Sequence, residues 1–230
     1  GEVRLARHDR MLYATDASLY QVEPLAVVVP RTIDDVRLTV EFAAARGLPL
    51  LPRGGGTSLA GQTVNRAGVI DFSRGCTRVR EVDVERRLAT VEPGVVLDDL
   101  NAAVAAHDLM FGPDVATRTH AALGGMIGNN SAGAYSVLYG RAVEHLDAVD
   151  VLLADGSSLR FETGAAAHDP RVASLTERVA GVVRPLAGEI RARFPKTRRR
   201  VDGYNLDLVL DDLEASSPGT FDRVNLAKLV

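Results

Sequence analysis

Pro52-Arg-Gly-Gly-Gly-Thr-Ser-Leu-Ala-Gly61 is the stretch on which the reading of this chain turns. Three consecutive glycines remove the Cβ atoms that would hold a ligand off the backbone, and Thr57 and Ser58 follow with hydroxyls and accessible amides. Successive amides can converge into an anion-binding concavity that needs no lysine, because the partial charge on each N–H supplies the attraction. That is how a chain wraps a pyrophosphate. An ordinary glycine turn has the same composition, and the stretch alone leaves both readings open. A Walker phosphate loop is excluded because no Lys-Ser/Thr follows the glycines, and the dinucleotide fingerprint G-x-G-x-x-G fits poorly.

Working outward, Leu48 to Leu51 is a short apolar run that feeds the turn as a buried strand. Leu25 to Val29 is an apolar, β-branched run stopped by Pro30 and predicts another. Between them, Thr32 or Asp34 caps a helix over residues 34–46 with Val36, Val40 and Phe42 to Ala44 on its apolar face and Gly47 at its end. Strand, helix, strand and glycine loop make a βαβ unit, which places the turn at the carboxyl end of a strand, where open α/β sheets bind ligands. Ahead of it, residues 1–23 read as a short helix and an extended lead-in around Tyr13-Ala-Thr-Asp-Ala-Ser18.

Downstream, Val69 to Phe72 predicts a strand, and residues 77–84 and 87–91 alternate as a hairpin with one wet face. An alanine-rich helix follows over residues 97–106. Gly124-Gly-Met-Ile-Gly-Asn-Asn-Ser-Ala-Gly133 is a second glycine cluster, about seventy residues after the first. Its small residues and amide side chains suit either a flat or charged ligand or close helix packing. Residues 146–154 and 157–161 form a hairpin about Asp155-Gly156, and from His168 the apolar spacing is helical, with Pro185 kinking or ending the run. The basic residues of Phe194 to Arg200 read as a solvated face, and the chain reaches Asn225 to Val230 without a recognisable closing element.

The 230 residues suffice for one large or two small domains with a sizeable core. A net charge of -3 gives no reason to expect nucleic acid, no apolar run spans a bilayer, and nothing in residues 1–10 resembles a signal peptide, so the default compartment is cytoplasmic. A single cysteine, Cys76, forbids an internal disulfide or an iron–sulfur cluster, and the five histidines never reach metal-ligand spacing.

Taken together, residues 30–36, 52–62, 112–114, 123–133, Tyr139-Gly140 and Ala154-Asp-Gly156 resemble the FAD-binding domain of the vanillyl-alcohol oxidase and p-cresol methylhydroxylase flavoprotein superfamily. The lead-in Tyr13 to Ser18 and the segment from Lys196 through Gly203-Tyr-Asn-Leu206 resemble its D-lactate dehydrogenase and glycolate oxidase branch, in the long form with an appended iron–sulfur domain. The resemblance implies an α/β (α+β) fold of two subdomains: after the lead-in 1–23, a small βαβ subdomain over 24–75 packed on a larger mixed-sheet subdomain over 76–230, with FAD between them. It implies that Arg53, Gly54, Gly55, Gly56, Thr57 and Ser58 line the pyrophosphate, with Gly61 and Gln62 beyond it and Pro113 and Asp114 bordering the cofactor. Leu123, Gly124, Gly125, Gly128, Asn129, Asn130, Ser131 and Gly133 would hold the ribityl chain, diphosphate and flavin edge, with Gly140 and Val143 nearby. Ala122 and Ala132 stand where the family often carries hydroxyl or thiol side chains.

The function implied is hydride transfer from a D-2-hydroxy acid such as D-lactate, glycolate or D-2-hydroxyglutarate to non-covalent FAD, with electrons leaving to a downstream acceptor. A peripheral membrane association through that acceptor is compatible with it. In this branch the catalytic residues and metal ligands lie in a C-terminal cap, so none is expected here, and the chain reads as an N-terminal piece that by itself turns over no substrate and holds FAD weakly. An iron–sulfur cluster would belong only to a longer parent. The alternatives are a UDP-N-acetylenolpyruvoylglucosamine reductase-like flavoprotein and a non-catalytic nucleotide-binding module.

Overall fold

The computed structural model describes residues 1–201 and 203–229; Asp202, within the Lys196–Leu206 motif, and Val230 lie outside the described residues. A four-stranded mixed sheet opens the chain, in the order β1-β2-β4-β3. Strand β1 (Glu2–Arg4) is followed by helix α1 (Arg7–Met11), strand β2 (Ala26–Val29), helix α2 (Ile33–Ala44), strand β3 (Leu50–Arg53) and strand β4 (Gly68–Asp71). β1 is an antiparallel edge that the mixed composition of the lead-in concealed, while β2, β4 and β3 run parallel. The two strands of the expected βαβ unit are therefore not neighbours. β4 sits between them and is the most buried strand, with Val69 at 0 % exposure and Asp71 at 1 %.

Thr32 is the residue that caps α2: its side chain accepts from the Asp35 amide at 3.3 Å while Asp35 accepts from the Thr32 amide, a reciprocal capping box. Val36 is buried and Val40 packs beside it against Ile70, Leu50 and Cys76, which joins the helix to one face of the sheet. Gly47, at φ 62°, ends the run in the left-handed conformation.

Hairpin strands β5 (Val79–Asp83) and β6 (Leu88–Val91) pair antiparallel and lay Val79, Val82 and Val91 against helix α3 (Leu97–Val104). A buried carboxylate closes the base of this hairpin. Glu92 is 3 % exposed and accepts from both Arg78 (2.9 Å) and Arg80 (2.7 Å). Next come helices α4 (Leu123–Gly128) and α5 (Ser136–Tyr139), then the hairpin β7 (Val149–Leu152) and β8 (Ser158–Phe161).

Helix α6 (Pro170–Val183) starts on an Asp169 cap with Pro170 in its first turn, and Pro185 lies in the tight 3-10 turn that separates it from α7 (Ala187–Arg193). Helix α8 (Leu206–Ala215), absent from the sequence reading, buries Val209, Leu210 and Leu213 against Val183 and Ile190. Val224 and Leu226 complete that cluster, so the segment expected to trail off is core.

Candidate functional site

β3 delivers the glycine loop at its carboxyl end, as the strand–turn reading required. Among the described residues, no amide from Gly54 through Leu59 donates a hydrogen bond within the protein. Gly56 is buried and Gly54, Thr57 and Ser58 are half-buried, while Gly55 and Leu59 face water, so these six successive amides are open to a partner from outside the protein. Thr57 and Ser58 stand half-exposed among them.

The first glycine cluster packs on the residues that lead into the second. A Cβ on Gly54 would lie 2.8 Å from the Ala122 Cβ, and one on Gly55 would collide with the His120 carbonyl oxygen. Glycine is therefore required at both positions by close backbone packing. Ala122 in turn precedes α4, whose Leu123 and Met126 are buried against Val95 and Leu97. The amides of Leu123 and Gly124 donate to the carbonyls of Val95 (2.8 Å) and Pro93 (2.9 Å), and Gly124 packs on the Pro93 ring.

The opposite face of α4 is bare. Gly125, Gly128 and Asn129 are exposed, and a Cβ at either glycine would meet nothing within 4 Å. The packing reading holds for Gly124, whereas Gly125 and Gly128 leave an open face that a side chain would cover.

Several other expected contacts face inward. The Arg53 guanidinium lies against Gly56 and donates to the carbonyls of Tyr13 (3.2 Å), Thr63 (3.1 Å) and Thr15 (2.9 Å). Asn130 is 2 % exposed, accepts from the Val143 amide at 3.1 Å and reaches Asn205 at 3.4 Å. Val143 is itself buried. Asp114 accepts from the Tyr135 amide at 3.1 Å and lies hard against Gly133, while Pro113 is buried behind it. Gly61, at φ 79°, packs under the Tyr20 ring, and exposed Gln62 accepts from the Ala60 amide. The Ser131 carbonyl accepts from the Ala142 amide at 2.8 Å, and Gly140, at φ 77°, abuts Glu144.

Lys196, Arg198 and Arg199 are exposed, as a solvated face requires, while Arg200 is drawn inward. Arg198 and Arg199 donate to the carbonyls of Val137 and Ala132 (both 3.4 Å), and Arg200 pairs with Asp207 at 2.6 Å. Arg141 pairs with Glu144 at 2.9 Å and donates to the Arg200 carbonyl. A cavity of about 420 Å³ opens between residues 136–141 and 195–200, but of the expected contacts only Gly140 borders it. Cys76 is buried, and burial first, then the nearby Glu92 charge, pushes its thiol up, which makes it an inert side chain.

Comparison with known proteins gives the family and the fold. The family model for the FAD binding domain matches residues 24–162, and the chain belongs to that family. Its fold is the p-cresol methylhydroxylase type of FAD-binding fold. It superposes on 6-hydroxy-D-nicotine oxidase from Arthrobacter nicotinovorans with a TM-score of 0.61 at 21% identity, over 70% of this chain and 36% of that one. An alkyldihydroxyacetonephosphate synthase also gives 0.61, at 20% identity over 68% and 31%.

In sequence the chain is similar to a D-2-hydroxyglutarate dehydrogenase of Pantoea ananatis, 34% identical over 98% of this chain and 23% of the relative. It also resembles one from Haemophilus influenzae (37%, over 69% and 16%) and the glycolate oxidase subunit GlcD of Bacillus subtilis (33%, over 66% and 33%). The chain thus spans under a quarter of the length of these dehydrogenases. Among the described residues, no helix is long and apolar enough to cross a membrane.

Proposed function

We propose that this chain is the FAD-binding part of an oxidoreductase acting on a D-2-hydroxy acid such as D-2-hydroxyglutarate, D-lactate or glycolate, with the cofactor held non-covalently. The observation that carries the proposal is the run of free amides from Gly54 to Leu59 packed against the strand-to-helix entry whose far face exposes Gly125 and Gly128. Those amides and the Thr57 and Ser58 hydroxyls would hold the diphosphate, and the Gly125–Gly128–Asn129 face would admit the cofactor at backbone distance. Asp114, Asn130 and Val143 would act one layer behind, holding the shape of the second cluster through the hydrogen bonds described above. Bound FAD supplies hydride acceptance, the chemistry that oxidation of a secondary alcohol requires. On this reading residues 24–75 and the chain from 76 onward are the two lobes that enclose the cofactor, the electron acceptor is a separate partner, and the compartment is cytoplasmic.

The names of the similar dehydrogenases support the hydroxy-acid class. Non-covalent attachment is supported by Thr57, a side chain with no reactive nucleophile, at the glycine loop. The test is titration of the purified chain with FAD, FMN and ADP, followed by flavin fluorescence and acid precipitation. FAD binding that ADP displaces, with all flavin released into the acid supernatant, is the expected result. Uptake of a mononucleotide alone, or a yellow pellet, refutes it. In the polypeptide expressed from the whole gene, anaerobic bleaching of flavin by a D-2-hydroxy acid and not by NADPH separates this reading from a reductase of the UDP-N-acetylenolpyruvoylglucosamine type.

A further inference from the structure

The glycine loop poses a physical problem. Gly54 to Leu59 make no hydrogen bond through their amides, and three glycines in a row carry the largest backbone entropy to lose on ordering. Whatever orders the loop must grip it from its carbonyl side and leave the amides outward.

That grip comes from residues 13–20, which precede the matched family domain. This segment folds back on itself through a bridge between Thr15 and Gln21 and through the Val22 amide donating to the Ala14 carbonyl at 2.8 Å. Its Ala17 amide donates to the Gly56 carbonyl at 3.0 Å, and its Tyr20 ring covers Gly61. Asp16 accepts from the Thr63 hydroxyl at 2.8 Å and from the Ser18 amide at 2.8 Å. Tyr13 donates its hydroxyl to buried Asp71 at 2.7 Å, at the carboxyl end of β4. Arg53 binds both sides together, since its guanidinium donates to Tyr13 and Thr15 on the strap and to Thr63 beyond the loop.

We infer that residues 13–20 are a clasp built into the cofactor cradle, and that Arg53 and the Asp16–Thr63 pair are positioning residues that hold the six amides open for the diphosphate without touching it. The inference rests on the FAD reading above. Its physical content is preorganisation: a loop already ordered spares the bound state the entropy of ordering it.

The test uses Asp16→Ala, Thr63→Val, their double variant and Arg53→Met in the 230-residue chain, each checked for wild-type far-UV circular dichroism. Two quantities are read: the {1H}–15N NOE of the Gly54–Leu59 amides without ligand, and the FAD dissociation constant. The loop should be rigid in the wild type and loosened in each variant, with FAD bound at least tenfold more weakly. The double variant should be no worse than Asp16→Ala alone, because Thr63→Val removes a bond that Asp16→Ala has already removed. If Arg53→Met does not fold, the Asp16 and Thr63 variants carry the test alone. An unchanged NOE with unchanged affinity overturns the clasp. A loosened loop with unchanged affinity overturns its role in binding, and an unchanged NOE with lost affinity means that these side chains touch the cofactor. A wild type that binds no FAD, while its variants still lose loop order, defeats the FAD reading and leaves the clasp standing.

Discussion

Gly125→Ala should move stability and cofactor affinity in opposite directions. Gly125 lies inside α4, without positive φ, and a Cβ there meets nothing within 4 Å. Replacing a helical glycine with alanine removes unfolded-state entropy worth about 0.5–1 kcal/mol. In a chain of this size that raises Tm by roughly 1–4 °C. The same methyl group projects from the bare face on which the cofactor would rest, and displacing the ligand from backbone contact should weaken FAD at least about tenfold, or roughly 1.4 kcal/mol. Gly181→Ala is the control: it lies within α6, also with nothing within 4 Å, so it should raise Tm similarly and leave FAD binding untouched. The assay is thermal melting of the ligand-free chains and flavin-fluorescence titration of both variants. If Gly125→Ala gains stability yet binds FAD like the wild type, the exposed face of α4 is not where the cofactor lies and the argument from the missing Cβ fails.

Gly55→Ala should behave differently, because its Cβ collides with the His120 carbonyl; overpacking of about 1–3 kcal/mol should appear as a lowered urea midpoint in the ligand-free chain, and an unshifted midpoint would contradict the contact between the first glycine cluster and His120. Glu92 sets an acid limit: burial pushes its carboxyl up, but the hydrogen bonds from Arg78 and Arg80 prevail and hold it at about 2, against an ordinary 4.5. A depressed carboxylate stabilises fully above its unfolded value and loses that contribution as pH falls through its folded value, so the loss runs from about pH 4.5 toward 2. Glu92→Gln should cost on the order of 2 kcal/mol at pH 7, discounted for its exposed arginine partners, and flatten that acid limb in urea melts; parallel pH profiles for the two proteins would refute the assignment.

Local chemistry was legible where it acts over a few residues. The β-branched run from Val27 to Val29, the Thr32 cap, Gly47, the alternation over residues 77–91 and Pro185 each act on their own segment, and each element formed near its expected place. The close backbone approach at residues 54–56 was legible for the same reason, since removing Cβ atoms is a property of the residues themselves. The insertion of β4 between β2 and β3 was not, because strand order depends on which apolar face packs where, and Gly68–Asp71 reads as a strand whatever its neighbours. Helix α4 was hidden as well: a six-residue segment with three glycines has poor helical propensity and holds only because Leu123 and Met126 are buried against α3 and Val95. Motif order alone assigned Arg53, Asn130 and Val143 to the cofactor. The tertiary structure turns the Arg53 guanidinium onto three carbonyls and buries Asn130 against Val143, because each polar group, once away from water, takes the nearest complementary partner, and only the folded chain decides which partner that is.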